Sequence, residues 1–126
     1  TLNGAPVETH PGKSVRDGLV GAGYSPRVPP DDYLPVFERL LKAGGMFYRD
    51  GSGALMLCYV ACGRLIGYVE PHINSWDCLG AIAVIRAAGL ATSDFLTGDA
   101  LRKGNYLIAG KPGAYDELAA ILGRER

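Results

Sequence analysis

The stretch Leu65-Ile66-Gly67-Tyr68-Val69-Glu70-Pro71-His72-Ile73-Asn74-Ser75-Trp76-Asp77 decides how this chain reads. Leu65 to Glu70 is apolar up to its final glutamate and predicts a strand ending on that carboxylate. Pro71 to Asn74 reads as a loop. Ser75 opens a helix to about Ala88, mostly buried because Arg86 is its only charge after Asp77, and Gly89 ends it. Upstream, Asp50-Gly51-Ser52-Gly53-Ala54 leads into a helix from Ala54 to Ala61. Leu55, Leu57, Cys58, Tyr59, Val60 and Cys62 leave it almost no polar face, so it too reads as buried.

Further out, the same grammar repeats. Leu19 to Gly23 and Met46 to Arg49 read as strands. Between them, Pro26, Pro29 and Pro30 mark a loop, and Asp31-Asp32 place carboxylates at a helix start, where backbone N–H groups are free. That helix runs to Ala43, with Leu34, Phe37, Leu40 and Leu41 on one face, and stops at Gly44-Gly45. Ser14 caps a helical turn through Asp17. Downstream, Leu90 to Asp94 and Tyr106 to Ala109 read as strands, Thr97-Gly98-Asp99 as a turn and Tyr115 to Leu122 as the last helix. Strands alternating with buried helices predict an α/β class, a layered mixed β-sheet flanked by helices, in a single domain over residues 1–126. At the start, Asn3-Gly4 is a hairpin-turn signal that pairs Val7 to Thr9 with a strand of which only two residues are present; the expectation is a segment preceding Thr1.

Composition narrows the function. Thirteen Lys and Arg balance thirteen Asp and Glu, which argues against a basic nucleic-acid surface or electrostatic docking on an acidic membrane. Apolar residues make up 48% and charged residues 21%, ordinary globular usage. No apolar run is long enough to span a membrane. Cys58, Cys62 and Cys78 lack zinc-site spacing and read as buried thiols, which favours a reducing, cytoplasmic location. The 18 glycines point to many turns or a ligand-lined surface.

Two places can carry chemistry. Gly51-Ser52-Gly53, a glycine-rich turn opening a helix, exposes backbone N–H groups that can hold an anion or a ligand hydroxyl; equally, it is a tight turn with Ser52 as helix cap. Glu70 and Asp77 set carboxylates at the rims of apolar elements, where they are costly unless paired or bound to a cation. Such oxygen donors suit Mg²⁺. Asp77 also fits as a charge complementing the helix dipole. His72 between them reads as a loop residue near the site, His10 as a surface residue and Arg49 as a salt-bridge partner.

These residues resemble a known family. Tyr48-Arg49-Asp50-Gly51-Ser52-Gly53-Ala54-Leu55, Tyr59-Val60-Ala61-Cys62-Gly63-Arg64-Leu65, Gly67-Tyr68-Val69-Glu70 and Trp76-Asp77 follow the C-terminal half of the inositol monophosphatase family, as do Ala87-Ala88-Gly89 and Tyr106-Leu107-Ile108-Ala109. The family comprises Mg²⁺-dependent, Li⁺-sensitive phosphatases with a layered αβαβα fold, commonly homodimeric. The resemblance implies that Asp77 is a Mg²⁺ ligand beside the substrate. Gly51, Ser52 and Gly53 would contact substrate hydroxyls through the main chain, and Glu70 would hydrogen-bond another hydroxyl.

The family's Asp-Pro-(Ile/Leu)-Asp-Gly-(Thr/Ser) metal motif and its upstream Gly-Glu-Glu are absent from these residues. The chain is therefore expected to be a C-terminal half lacking the N-terminal metal-binding half, with weak cation binding and no useful activity alone. Gly53, Ile66 and the run Arg86 to Leu90 also depart from the family pattern. The expected substrate is a small phosphorylated polyol or sugar; fructose bisphosphate, histidinol phosphate or a nucleotide phosphate are alternatives within the chemistry. A non-catalytic binding or regulatory domain that keeps the fold is the alternative outside it.

Overall fold

In the computed structural model the described residues are 1–124; the last two of the 126 read as one domain lie outside them. A five-stranded sheet forms the middle layer. Its strands are β1 (Leu19–Ala22), β2 (Met46–Tyr48), β3 (Gly67–Ile73), β4 (Ala91–Thr92) and β5 (Asn105–Gly110), in the order β2-β1-β3-β5-β4. β1 runs parallel to β2 and β3, whereas β5 runs antiparallel to β3 and β4, so the sheet is mixed as expected.

The two-residue period of the strands sorts the core into two faces. Tyr68, Leu107 and Ala109 point to the side covered by α2 (Gly53–Ala61) and α3 (Ser75–Ala87). Val20, Val69 and Ile108 point to the side covered by α1 (Pro30–Lys42) and α5 (Pro112–Leu122). Helix α4 (Ala100–Lys103) is a short addition where only a turn was expected. Parallel neighbours need crossovers, and α1 and α2 supply them. No helix among the described residues is long and apolar enough to cross a membrane.

Several expectations need correction. β3 does not end at Glu70. It continues through Pro71 and His72 to Ile73, which pairs with Asn105 beyond a register shift. Proline lacks a ladder donor, so Pro71 is tolerated at that irregularity. On α1 Leu40 is buried and Phe37 half-buried as expected, but Leu34 and Leu41 are 57% and 45% exposed and Val36 takes the other buried place. Val7 to Thr9 forms no strand, because the Asn3-Gly4 turn closes only a single Leu2–Ala5 bridge. β4 is two residues long, because Ser93 then answers β5 with its hydroxyl, which accepts from the Ile108 N–H at 3.0 Å. α5 starts earlier than expected, with Pro112 in its first turn.

The cysteines also differ. Cys78 is buried, and burial pushes its thiol up to about 12, but Cys62 is half-buried and Cys58 exposed. The outer flank of α2 is the cause. Met56, Leu57, Val60 and Ala61 face the sheet and α3, while Leu55 and Cys58 turn away from them. On α3, Trp76 and Val84 are likewise 72% and 50% exposed.

Candidate functional site

The carboxyl ends of the parallel strands β1, β2 and β3 meet at one edge of the sheet, where crevices form in open α/β folds. The chain leaving β1 supplies Tyr24, Ser25, Pro26 and Arg27. The turn after β2 supplies Gly51 and Ser52, and α2 opens with Gly53 and Ala54. β3 contributes Glu70 and Ile73, and the first turn of α3 contributes Asp77. Together these line a cavity of about 340 Å³. All five residues singled out in the sequence, Gly51, Ser52, Gly53, Glu70 and Asp77, therefore share one pocket.

Ser52 is a helix cap: its Oγ accepts from the Leu55 N–H at 3.2 Å. Its own N–H donates to Asp50 Oδ1 at 2.8 Å, which folds the turn back on itself. The capping role and the pocket role thus coexist, since the cap uses the hydroxyl and leaves the turn at the cavity wall.

Glu70 is 6% exposed and on the same side of β3 as Tyr68, two residues earlier. The Tyr68 hydroxyl donates to Glu70 Oε2 at 3.0 Å. Burial pushes the Glu70 carboxyl up to about 7, against the pull of the Tyr68 hydroxyl and of Arg27. Gly23, at the end of β1, makes room for the pair; a Cβ there would strike the Tyr68 hydroxyl and lie 2.6 Å from the Glu70 carboxyl carbon. Asp77 is exposed in the first turn of α3, where its charge complements the helix dipole.

Among the described residues, no three His, Cys, Asp or Glu side chains converge on a metal position. Asp77 offers an exposed oxygen donor that no hydrogen bond or ion pair among the described residues holds, which fits a single Mg²⁺ ligand and not a complete Mg²⁺ shell.

Three other residues were read differently from sequence, two of them beside the pocket and His10 before the start of β1. His72 is part of β3, and its Nδ1 accepts from Arg27 Nε at 2.8 Å. Arg49 donates to the Tyr24 carbonyl at 3.3 Å in place of a salt bridge. His10 is half-buried, and its Nδ1 accepts from the Gly12 N–H at 2.9 Å. Sequence reading passed over Arg27 and Tyr24. No local pattern marks either residue, and His72, the partner of Arg27, is 45 positions away.

The comparisons agree with this architecture. The family model for the inositol monophosphatase family matches residues 1–125. A relative from Haemophilus influenzae, Nus factor SuhB, is 31% identical over 112 residues, covering 86% of this chain and 42% of that protein. An inositol-1-monophosphatase from Synechocystis is 38% identical over 91 residues, covering 71% and 32%. The solved structure of the extragenic suppressor protein SuhB from Bartonella henselae superposes with a TM-score of 0.82 at 27% identity, over 95% of this chain and 46% of that one. This chain thus spans less than half the length of the curated relatives it matches. With fold, sequence and family model in accord over nearly every residue, the chain belongs to the inositol monophosphatase family.

Proposed function

We propose that this chain is the substrate-recognising part of a Mg²⁺-dependent phosphatase that hydrolyses a phosphate monoester of a small polyol or sugar. The observation that carries this reading is the convergence of Gly51, Ser52, Gly53, Glu70 and Asp77 on one cavity at the carboxyl ends of three parallel strands. In it, the Gly51 and Gly53 N–H groups flank the start of α2 and suit substrate oxygens, while the Ser52 N–H is taken by Asp50. Glu70 accepts from a substrate hydroxyl when ionised and donates to one when protonated. Asp77 would supply one carboxylate to a bound Mg²⁺. The remaining metal carboxylates come from a preceding half that these 126 residues do not contain. Bound Mg²⁺ would activate water and stabilise charge on the phosphoryl oxygens. Family resemblance further supports a homodimer, and three free cysteines fit a cytoplasmic location. The chain's balanced charge supports no nucleic-acid or membrane contact of its own.

Phosphate release from inositol 1-phosphate with Mg²⁺ tests the reading. In the intact protein, Asp77→Asn is expected to lower kcat by at least about 100-fold, the scale of losing a group that stabilises transition-state charge. Unchanged turnover in that variant overturns the metal role. The 126 residues by themselves are expected to release no phosphate; turnover by them that Asp77→Asn abolishes would overturn the half-enzyme view.

A second reading keeps the fold without the reaction. Several similar relatives carry the name Nus factor SuhB, which favours a regulatory or binding role. An intact protein that turns over no phosphomonoester would favour that reading.

A further inference from the structure

The pocket holds one cation among its lining residues. Arg27 reaches it from the chain after β1, opposite two carboxylates, yet forms no ion pair with either: the one salt bridge among the described residues is Lys42–Glu38, on α1. Its guanidinium is instead held from behind. Nε donates to His72 Nδ1 at 2.8 Å and Nη2 donates to the His72 carbonyl at 3.4 Å.

The imidazole is itself fixed. His72 Nε2 lies 2.6 Å from the Lys103 carbonyl, a group that only accepts, so Nε2 carries the proton and Nδ1 is left as the acceptor that Arg27 needs. Gly104 lets the ring sit there. A Cβ on Gly104 would lie 2.7 Å from Nε2, and its φ of +75° belongs to the region that favours glycine. At the backbone end, Ser25 is buried and folds the chain into a turn. Its Oγ accepts from the Arg27 N–H at 3.1 Å and its carbonyl from the Val28 N–H at 3.0 Å. Both ends of the side chain are thus anchored to neutral groups, and Nη1 remains available.

Arginines elsewhere in the fold also bond neutral acceptors, as Arg16 and Arg39 do on backbone carbonyls, but Arg27 does so on the wall of the cavity. There it is braced by a neutral imidazole and a carbonyl, which position the charge without neutralising it. Resting on the phosphomonoester reading, we propose that Arg27 is a specificity-determining residue that selects a polyol or sugar phosphate carrying a second anionic oxygen group, a carboxylate or a further phosphate. The planar fork of free N–H groups suits either one.

The test uses ligands that differ in the second group alone. Glucose 1-phosphate, glucuronic acid 1-phosphate and glucose 1,6-bisphosphate are titrated into the protein in Mg²⁺ buffer at low salt, and the resonances of Gly51, Ser52 and Gly53 report binding. Both doubly anionic ligands are expected to bind about tenfold tighter than glucose 1-phosphate, the effect of one charge-assisted hydrogen bond. If only one shows the advantage, that ligand identifies the anion selected. In Arg27→Gln the advantage collapses toward onefold. In His72→Ala, which unties the guanidinium without removing its charge, the advantage falls to an intermediate value. Equal affinity for all three ligands, or an advantage that survives Arg27→Gln, overturns the inference and leaves the phosphomonoester reading standing. If none of the three moves those resonances, the phosphomonoester reading fails and this inference fails with it.

Discussion

Helix α2 borders two cavities of opposite character. Its first turn closes the polar pocket with Glu70, Asp77 and Arg27. Its outer flank, with Leu2, Val7 and Val84, walls an apolar groove of about 270 Å³ through Leu55, Cys58, Tyr59 and Cys62. Over nine residues the same helix therefore serves chemistry at its end and exposes grease along its side. The contrast shows that an all-apolar helix sequence does not fix how deeply the helix is covered. A helix can be apolar all round because one face packs on its own sheet while another is left for a surface outside these residues.

The largest effect that would sharpen the contrast is the one at the polar end. Asp77→Asn is expected to remove at least about 100-fold of phosphate release in the intact protein while leaving its melting temperature nearly unchanged, because the carboxylate is exposed and unpaired. A comparable fall in both would make Asp77 a structural residue. The next effect lies within α2. Leu57 is fully buried and Leu55 is 43% exposed, two positions apart. Leu57→Ala is expected to cost about 3 kcal/mol and Leu55→Ala below about 1 kcal/mol, since only the first opens a cavity in the core. Denaturant unfolding measures both; equal costs would mean that the flank is covered in solution.

Periodicity carried the strand–helix alternation and the mixed sheet because each element's apolar residues face its own sheet neighbours. The pocket was legible where chemistry sits at an element boundary: a glycine-rich turn at the start of α2, a carboxylate in an apolar strand and another in the first turn of α3. What stayed hidden depends on contacts distant in sequence. The continuation of β3 through Pro71 required Asn105 as a partner. The bracing of Arg27 required His72 and Lys103. The exposure of Cys58 followed from where α3 lies, and apolar composition alone does not report that.

Glu70 ties the polar pocket to stability. Its folded carboxyl sits near 7, above the ordinary value of 4.5. Below 4.5 both folded and unfolded chains hold the proton and Glu70 contributes no penalty. Between 4.5 and about 7 the unfolded chain gives up the proton while the folded chain keeps it, so stability falls as pH rises, and above 7 the penalty is complete. Glu70→Gln retains an acceptor for the Tyr68 hydroxyl and never ionises. The variant is expected to gain about 3 kcal/mol at pH 8 and nothing near pH 4, while losing affinity for a substrate hydroxyl. Thermal melts across pH decide it; a variant less stable at pH 8 would show that the ionised carboxylate is supported by groups around the pocket.

The smallest effect separates the two ends of the comparison most finely. Gly53 stands in the first turn of α2, where an added Cβ would lie 2.8 Å from Ile73 Cδ1 and 3.0 Å from the Tyr68 hydroxyl oxygen. Ile73 Cδ1 is the far end of a flexible side chain and can move by a few tenths of an ångström, at a cost of about 1 kcal/mol. Alanine recovers a similar amount through lower backbone entropy in the unfolded chain. Gly53→Ala is therefore expected to leave stability within about 1 kcal/mol of the parent. The effect should fall on the pocket, because the added methyl presses on Tyr68 and Tyr68 holds Glu70. A twofold to fivefold rise in KM with kcat unchanged, on the order of 0.5–1 kcal/mol of uniform binding, would place Gly53 in substrate recognition. A loss of stability with KM unchanged would assign this glycine to helix packing, and the polar end of α2 would then begin at Ser52.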